Sequence, residues 1–456
     1  MNKTAASSRL QSLERDRLLP LILRLALPSI VGVTVSAAYQ LLNAFFVGRL
    51  GTAALAAMAL SFPFAMCVTA IGQCFGAGAA SLLARSLGRA DGPAANDYAS
   101  HALWSAVAAA GVVAVTGWLF APHLLAWLGT GVATLPLAVG YLHWLLLGYV
   151  AVVVNMVCGF IVRAEGNTVL SMKTQISSFA MNAALDPVLI FWLGLGIEGA
   201  GIATLLAQFC GLALYWRHFA GRRGAIVLSW PAVGRWWSRL AAIARIGAPS
   251  ALNTLVAVAA MSMLNGFAAR YGEASVAAIG LAGRLAMVAV LPLYGLCIGA
   301  QSVVGYNVGA GNWARVAEAV RTMIAVAFAF ACVYAGWVVW QAQTIAGWFA
   351  HEQATIEIGG RAILLFHCAL PVFAMQQVCL MFMQAKGEAV RATLVAVLRQ
   401  GMFLMPLMAL LQSAYGRDGL LFSVPTADMA AGLIAVVMLY RQMRQIRLGG
   451  LTAKLA

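Results

Sequence analysis

The chain is short of charge. Only 9% of its 456 residues are Asp, Glu, Lys or Arg, where soluble domains carry about 25%, and acids number just 14. So sparse a set cannot coat a water-facing surface, which excludes soluble enzymes, soluble nucleic-acid binders and disordered chains. The eight cysteines (Cys67, Cys74, Cys158, Cys210, Cys297, Cys332, Cys368, Cys379) all fall in apolar stretches without C-x-x-C spacing. They read as small packing residues, not as disulfides or metal ligands. The six histidines show no H-E-x-x-H or paired spacing, so no metal site is expected. The first seventeen residues mix both charge signs and run into apolar sequence without a small-residue cleavage site, so no removable signal peptide is expected.

What the chain has in excess is apolar surface: 62% hydrophobic residues and a mean hydropathy of +0.88. At about 20 apolar residues per span, the length holds on the order of a dozen spans and leaves no room for a sizeable soluble domain. Apolar runs between charged or Gly/Pro punctuation predict about twelve helices, near 19–48, 53–85, 95–121, 134–163, 169–193, 197–219, 241–270, 274–308, 313–342, 355–385, 389–413 and 418–441. The fold class is an all-α membrane protein.

The formal charge of +15 follows from which side the loops occupy. With the N-terminus inside, the alternation puts Lys3, Arg9, Arg15, Arg17, Arg85, Arg89, Arg163, Lys173 and most later basic residues on the inner side. Only Arg49, Arg270, Arg361 and Arg417 fall outside, while Arg24, Arg284 and Arg399 lie within spans. This is the bias expected of cytoplasmic loops, so both termini are placed in the cytoplasm and no nucleic-acid partner is needed. The middle linker, with Trp230, Trp236 and Trp237 among arginines, has the composition of a segment lying on the inner membrane surface.

An offset of 221 residues lays the first half on the second. Pro28 meets Pro249, Ser29 meets Ser250, Arg49 meets Arg270, Gly51 meets Gly272, Gly78 meets Gly299, Gly88 meets Gly309 and Gly166 meets Gly387. Each unit holds six spans, an even number, so the repeat is parallel and its axis lies along the membrane normal. The expected organisation is a cytoplasmic segment (1–18), a six-helix bundle (19–219), a cytoplasmic linker (220–240), a second six-helix bundle (241–442) and a cytoplasmic tail (443–456). Transporters commonly hold cargo between such halves and rock one against the other.

Particular segments resemble a known family. "LALPS", "NAFFVGRLG", "GAGAASLLARSLGRAD", "RAEGNT" and "NAALDPVLIF" in the first half are similar to the multidrug and toxic compound extrusion (MATE) family. So are "IGAPS", "GAQSVVGYNVGAGN", "QAKGEAVRAT" and "LRQGMFLMPLMALL" in the second. The resemblance implies a secondary antiporter that expels organic, often cationic and amphipathic compounds in exchange for H+ or Na+, with no other cofactor. It is closest to the branch with a cation site in the N-terminal bundle, whose matching positions here are Asn43, Asn182, Asp186 and Thr204. Asn43 departs from that pattern, since the family often has Asp there, and the departure leaves Asp186 as the sole acid of the set.

The residues give their own reasons for the same focus. An ionisable group at membrane depth costs about 2.5 to 3.5 kcal/mol on insertion scales and is a functional candidate by default. Of the acids, only Asp186 and Asp428 count inward to depth. Asp186 lies roughly 10 Å from the outer end of its span at 1.5 Å per residue, with Asn182 one turn away on the same face. Asn43 and Thr204 reach similar depth on their own spans. Asp186 is therefore the candidate for taking up and releasing a proton, the bland alternative being a polar cap for the helix bend that Pro187 imposes. Arg399 and Asp428, at comparable depth, read as a buried ion pair, with Arg284 a second possible partner for Asp428.

Gln40, Gln73, Asn155, Gln208, Gln301, Gln376 and Gln377 are amides in apolar spans that would either line the cargo cavity, together with Arg284, or hydrogen-bond between helices. His143 and His367, also inside spans, are expected to do the latter. The expected protein is a monomer in the lipid bilayer acting on small organic substrates. A lipid-linked oligosaccharide flippase of the same superfamily is the alternative, and would want a cationic cavity. An intramembrane enzyme would need a nucleophile with its base at matched depth, and none is found.

Overall fold

The computed structural model describes residues 2–131, 134–349 and 352–455, with side chains undescribed for 2–6, 233, 354 and 447–455. Lys3, Arg447 and Lys454 of the basic set therefore lie outside the described side chains. A short helix, α1 (Asn2–Arg15), precedes α2 (Leu18–Gly48), α3 (Thr52–Gly88), α4 (Gly92–Trp127), α5 (Leu135–Ala164), α6 (Thr168–Pro187) and α7 (Gly196–Ala220). The second half runs through α8 (Trp236–Ala269), α9 (Glu273–Gly309), α10 (Trp313–Trp340), α11 (Ala342–Phe349), α12 (Gln353–Cys368), α13 (Leu370–Lys386), α14 (Ala389–Val397) and α15 (Met405–Leu455).

Among the described residues nine helical stretches are long and apolar enough to cross a membrane, or ten if α12 and α13, bent by 42°, form one span. Two features bring these to the twelve spans of the fold class. The stretch Ala389–Ile446 folds back at Gly416, whose φ of 61° and ψ of −137° are not helical, and so crosses twice. Helix α6 is disqualified by its own polar residues, Lys173, Gln175, Asn182 and Asp186 among them. Exposed tryptophans mark both ends of the molecule, Trp216, Trp230 and Trp237 at one and Trp127, Trp192 and Trp348 at the other, where amphipathic rings suit the two membrane interfaces.

The repeat is visible in the turns. Gly51 and Gly272 have φ of 107° and 90°, and Gly166 and Gly387 have φ of 78° and 85°, a region that glycine enters at no steric cost. Asp91 caps α4 by accepting from the Ala94 N–H at 3.0 Å, and Asn312, one repeat later, caps α10 by accepting from the Arg315 N–H at 3.2 Å.

Each half packs as a lobe, α2 to α7 and α8 to α15, and the lobes meet where α2 runs against α9 and α3 against α8. Small residues make that seam. A Cβ on Gly78 would strike the Ile243 carbonyl, one on Gly247 the Cys74 carbonyl, and one on Gly299 the backbone of Leu25 and Ala26. All of these lie toward the end that carries the N-terminus and most of the basic residues, called here the basic end. At the opposite end Gly266 and Gly280 have no neighbour within 4 Å.

Two segments brace the basic end. The Leu13 carbonyl on α1 accepts from Asn307 Nδ2 at 3.0 Å and Arg315 Nε at 3.2 Å, while Arg9 Nη2 donates to the Arg223 carbonyl at 3.1 Å, so α1 ties the second lobe to the linker. The linker is held to α4 by the Asn96 and Ser100 side chains, which accept from the N–H groups of Val227 (2.8 Å) and Ser229 (3.0 Å). Trp230 stacks on Trp104 with centroids 4.3 Å apart.

Candidate functional site

Asp186 sits in the last turn of α6, fully buried. The expected bend at Pro187 takes a particular form: directly after the proline the helix continues as a π-helical turn, Val188–Trp192. Asn182, also fully buried, donates from Nδ2 to Asp186 Oδ1 at 3.3 Å. Among the described residues no arginine, lysine or histidine pairs with this carboxylate.

Two tyrosines complete the surroundings, and sequence reasoning missed both. Tyr39 Oη lies 2.8 Å from Thr204 Oγ1. Thr204 spends its own proton on the Ala200 carbonyl at 3.0 Å, so Tyr39 is the donor in that pair. The Tyr141 hydroxyl stands beside Asn43, and both tyrosines are within electrostatic reach of Asp186. A signal existed for Tyr39, which lies one helical turn before Asn43 on the same face.

The arrangement has an excess of acceptors. Asn43 Oδ1, Asn182 Oδ1 and Asp186 Oδ2 are all buried and accept no hydrogen bond. Buried acceptors without donors are costly, and a proton on the carboxyl or a small cation among these oxygens would relieve that cost. The residues thus fit either coupling ion of the expected chemistry.

Asn43, Thr204, Tyr39 and Tyr141 also line a cavity of about 710 Å³ that runs down the inside of the first lobe and is bordered by Tyr294 and Ile298 of the second. Asp186 and Asn182 are not on its surface but lie behind that polar wall. Of the amides expected in the cargo cavity, Gln40, Gln73, Asn155 and Gln208 line this space. Asn155 Nδ2 donates to both the carbonyl and the Oε1 of Gln208 at 2.8 Å, so this pair joins α5 to α7 and lines the cavity at once. Gln73, Gln301 and Gln377 border a pocket of about 50 Å³ between the lobes.

Two expected cavity residues lie elsewhere. Gln376 is buried and donates to the Val395 carbonyl at 3.0 Å, bridging α13 and α14, because the rotation of its helix turns it into a packed seam. Arg284 is exposed and lines neither space. Arg399 and Asp428 are in contact as an ion pair, and Arg399 also covers the Phe373 ring at 4.6 Å. His143 Nε2 lies 3.3 Å from the Trp118 carbonyl on a neighbouring helix, but His367 Nδ1 bonds within its own helix, to the Ile363 carbonyl at 2.7 Å.

Comparison with known proteins decides what this architecture is. The MatE family model matches the chain twice, over residues 28–188 and 249–410, one match per lobe and at the offset of the internal repeat. The chain belongs to the MatE family. Its members are transporters and not enzymes. Among similar proteins is the multidrug export protein MepA of Staphylococcus aureus strain MRSA252, 26% identical over 433 residues, with 94% of each chain covered. Another is an FAD transporter of Shewanella oneidensis, 26% identical over 429 residues, covering 92% of this chain and 94% of that one. A solved structure, the outward-facing conformation of a multidrug resistance MATE family transporter, superposes with a TM-score of 0.89 at 25% identity and covers 96% of this chain and 98% of the other.

Proposed function

We propose that this MatE transporter is a secondary active antiporter that exports organic, often cationic and amphipathic compounds in exchange for H+ or Na+ by alternating access. The observation that carries the reading is Asp186: a buried carboxyl with no basic partner among the described residues, set behind a wall of Tyr39, Asn43, Tyr141 and Thr204 beside a drug-sized cavity. Pockets of 300 to 1,000 Å³ are the usual size for such ligands.

The mechanism follows from charge. With a proton or a small cation aboard, the Asp186 site is neutralised and the unpaired oxygens around it are satisfied. Without one, the carboxylate is charged in a low-dielectric site and only one amide supports it. The two states differ in which lobe arrangement they favour, and that difference is what lets an ion gradient bias two global conformations. The ion enters from outside, shifts the balance and drives cargo off outward.

In this reading the basic end faces the cytoplasm of a bacterial inner membrane and both termini lie inside. Residues 19–219 and 241–442 are the moving bundles of a monomer, 220–240 is the cytoplasmic linker, and 1–18 and 443–456 are the cytoplasmic tails. The flippase alternative draws its cationic lining from Arg284 and Arg399. Arg399 is committed to Asp428 and Arg284 lies outside the cavity, so neither supplies it. The names of the relatives above, a multidrug export protein and an FAD transporter, favour small compounds.

Antiport is tested in sealed proteoliposomes with no imposed ion gradient. An outward gradient of a transported dye should drive proton or sodium movement in the opposite direction. Dye movement with no accompanying counter-flow of either ion would contradict the proposal.

A further inference from the structure

The lining of the first-lobe cavity carries one formal charge, and it is positive. No Asp or Glu is among the residues that line it, and its sole charged side chain is Arg163. Arg163 closes α5 at the basic end, inside "RAEGNT", and its position there suggested an ordinary cytoplasmic loop residue. In the structure its guanidinium turns into the cavity instead. Nη1 donates to Ser171 Oγ at 2.6 Å, the guanidinium carbon lies 4.5 Å from the Phe160 ring centroid, and Nε is buried and donates to nothing.

Among the described residues no carboxylate pairs with it, whereas Arg239, Arg391 and Arg399 each have one. The wall beside it is bare backbone, against which the neighbouring polar groups pack closely. A Cβ on Gly159 would stand 3.0 Å from Tyr215 Oη, 3.2 Å from Arg163 Nη1 and 3.4 Å from Ser171 Oγ. Three groups able to donate hydrogen bonds therefore converge on one small spot in the cavity wall, around a fork suited to planar oxyanions, with an aromatic face alongside.

We propose that Arg163, Ser171 and Tyr215, over Gly159, form a binding subsite for the carboxylate or phosphate of an amphipathic organic anion carried in this cavity. The inference deepens the proposed function and rests on its assignment of the cavity as the cargo site. It extends the cargo class from cations to anions. The subsite is separate from the coupling group: Tyr141 and Gly159 stand roughly 27 Å apart along α5 at 1.5 Å per residue, so Asp186 does not neutralise Arg163.

The test is equilibrium binding to the purified full chain in neutral detergent, read by fluorescence anisotropy. Fluorescein serves as the anion and rhodamine 123 as a cation on the same ring frame. Arg163→Gln should weaken fluorescein at least tenfold while rhodamine 123 binding holds or rises. Ser171→Asp, which keeps Arg163 but gives it the missing counter-ion, should do the same, so the test survives a poorly folding Arg163 variant. Fluorescein binding that is absent from the wild type, that persists unchanged in Ser171→Asp, or that falls in parallel with rhodamine 123 would overturn the proposal. Because no gradient is applied, failure here leaves coupling through Asp186 standing, and a failure of coupling leaves this site standing.

Discussion

Gly88 on α3 and Gly309 on α9 occupy matching places across the repeat, and each abuts the other lobe's backbone. A Cβ on Gly88 would strike the Tyr306 carbonyl oxygen, and one on Gly309 would strike that of Arg85. Tyr306 and Arg85 are themselves repeat partners at the same 221-residue offset, so the contact is a symmetric pair. It closes the basic end of the cleft with backbone instead of side chains.

Adding a methyl group there cannot be absorbed by a rotamer change, since the obstacle is backbone on both sides. Gly88→Ala and Gly309→Ala are expected to force the lobes apart at the basic end and shift the population toward the form open on that side, the double variant more than either single one. Labelling of single cysteines introduced along the seam checks this. Unchanged accessibility in the double variant would count against the seam as the closing contact.

The ion pair of Arg399 with Asp428 makes a different prediction. Removing one partner of a buried pair strands the other charge, at a cost of about 3 to 5 kcal/mol, whereas removing both is often nearly neutral. Arg399→Gln or Asp428→Asn alone should lower folded yield and melting temperature more than the double substitution does. Additive losses would show that the two side chains act independently.

Glu388, in the turn between α13 and α14, gives a pH dependence. Burial pushes its carboxyl up, but Lys386 and Arg391, each 2.6 Å away, outweigh that and hold it below the usual glutamate range. A carboxyl depressed in the folded state stabilises it above the ordinary value and loses that effect as pH falls through the depressed one. Glu388→Gln should therefore melt lower than the wild type at pH 7, with the gap shrinking below about pH 4. A gap that stays constant with pH would remove the ion pairs as its cause.

The parts legible in the sequence and the parts that were not divide along physical lines. Spans were legible because apolar runs of that length have few other uses in a chain so short of charge, and the repeat because Pro28, Gly51 and Gly88 recur at one offset. Asp186 stood out because acids are rare here and costly at depth. Tyr39, Tyr141 and Arg163 did not, since tyrosines in spans and arginines at span ends usually have ordinary packing and interfacial roles. Gln73 and Gln376 were indistinguishable as residues. Which amide faces the cavity depends on how each helix is rotated in its lobe, and that is set by packing among distant segments. The fold-back at Gly416 falls in the gap expected between spans 389–413 and 418–441, where Gly416, Arg417 and Asp418 interrupt the apolar run.

The account turns on whether Asp186 couples ion movement to export. Uphill efflux of a dye from energised membrane vesicles, measured under a proton gradient and separately under a sodium gradient, tests this with Asp186→Asn beside the wild type. Asp186→Asn is expected to abolish gradient-driven efflux under whichever ion drives the wild type, while dye binding at equilibrium is retained. Gradient-driven export by Asp186→Asn at the wild-type rate would contradict it.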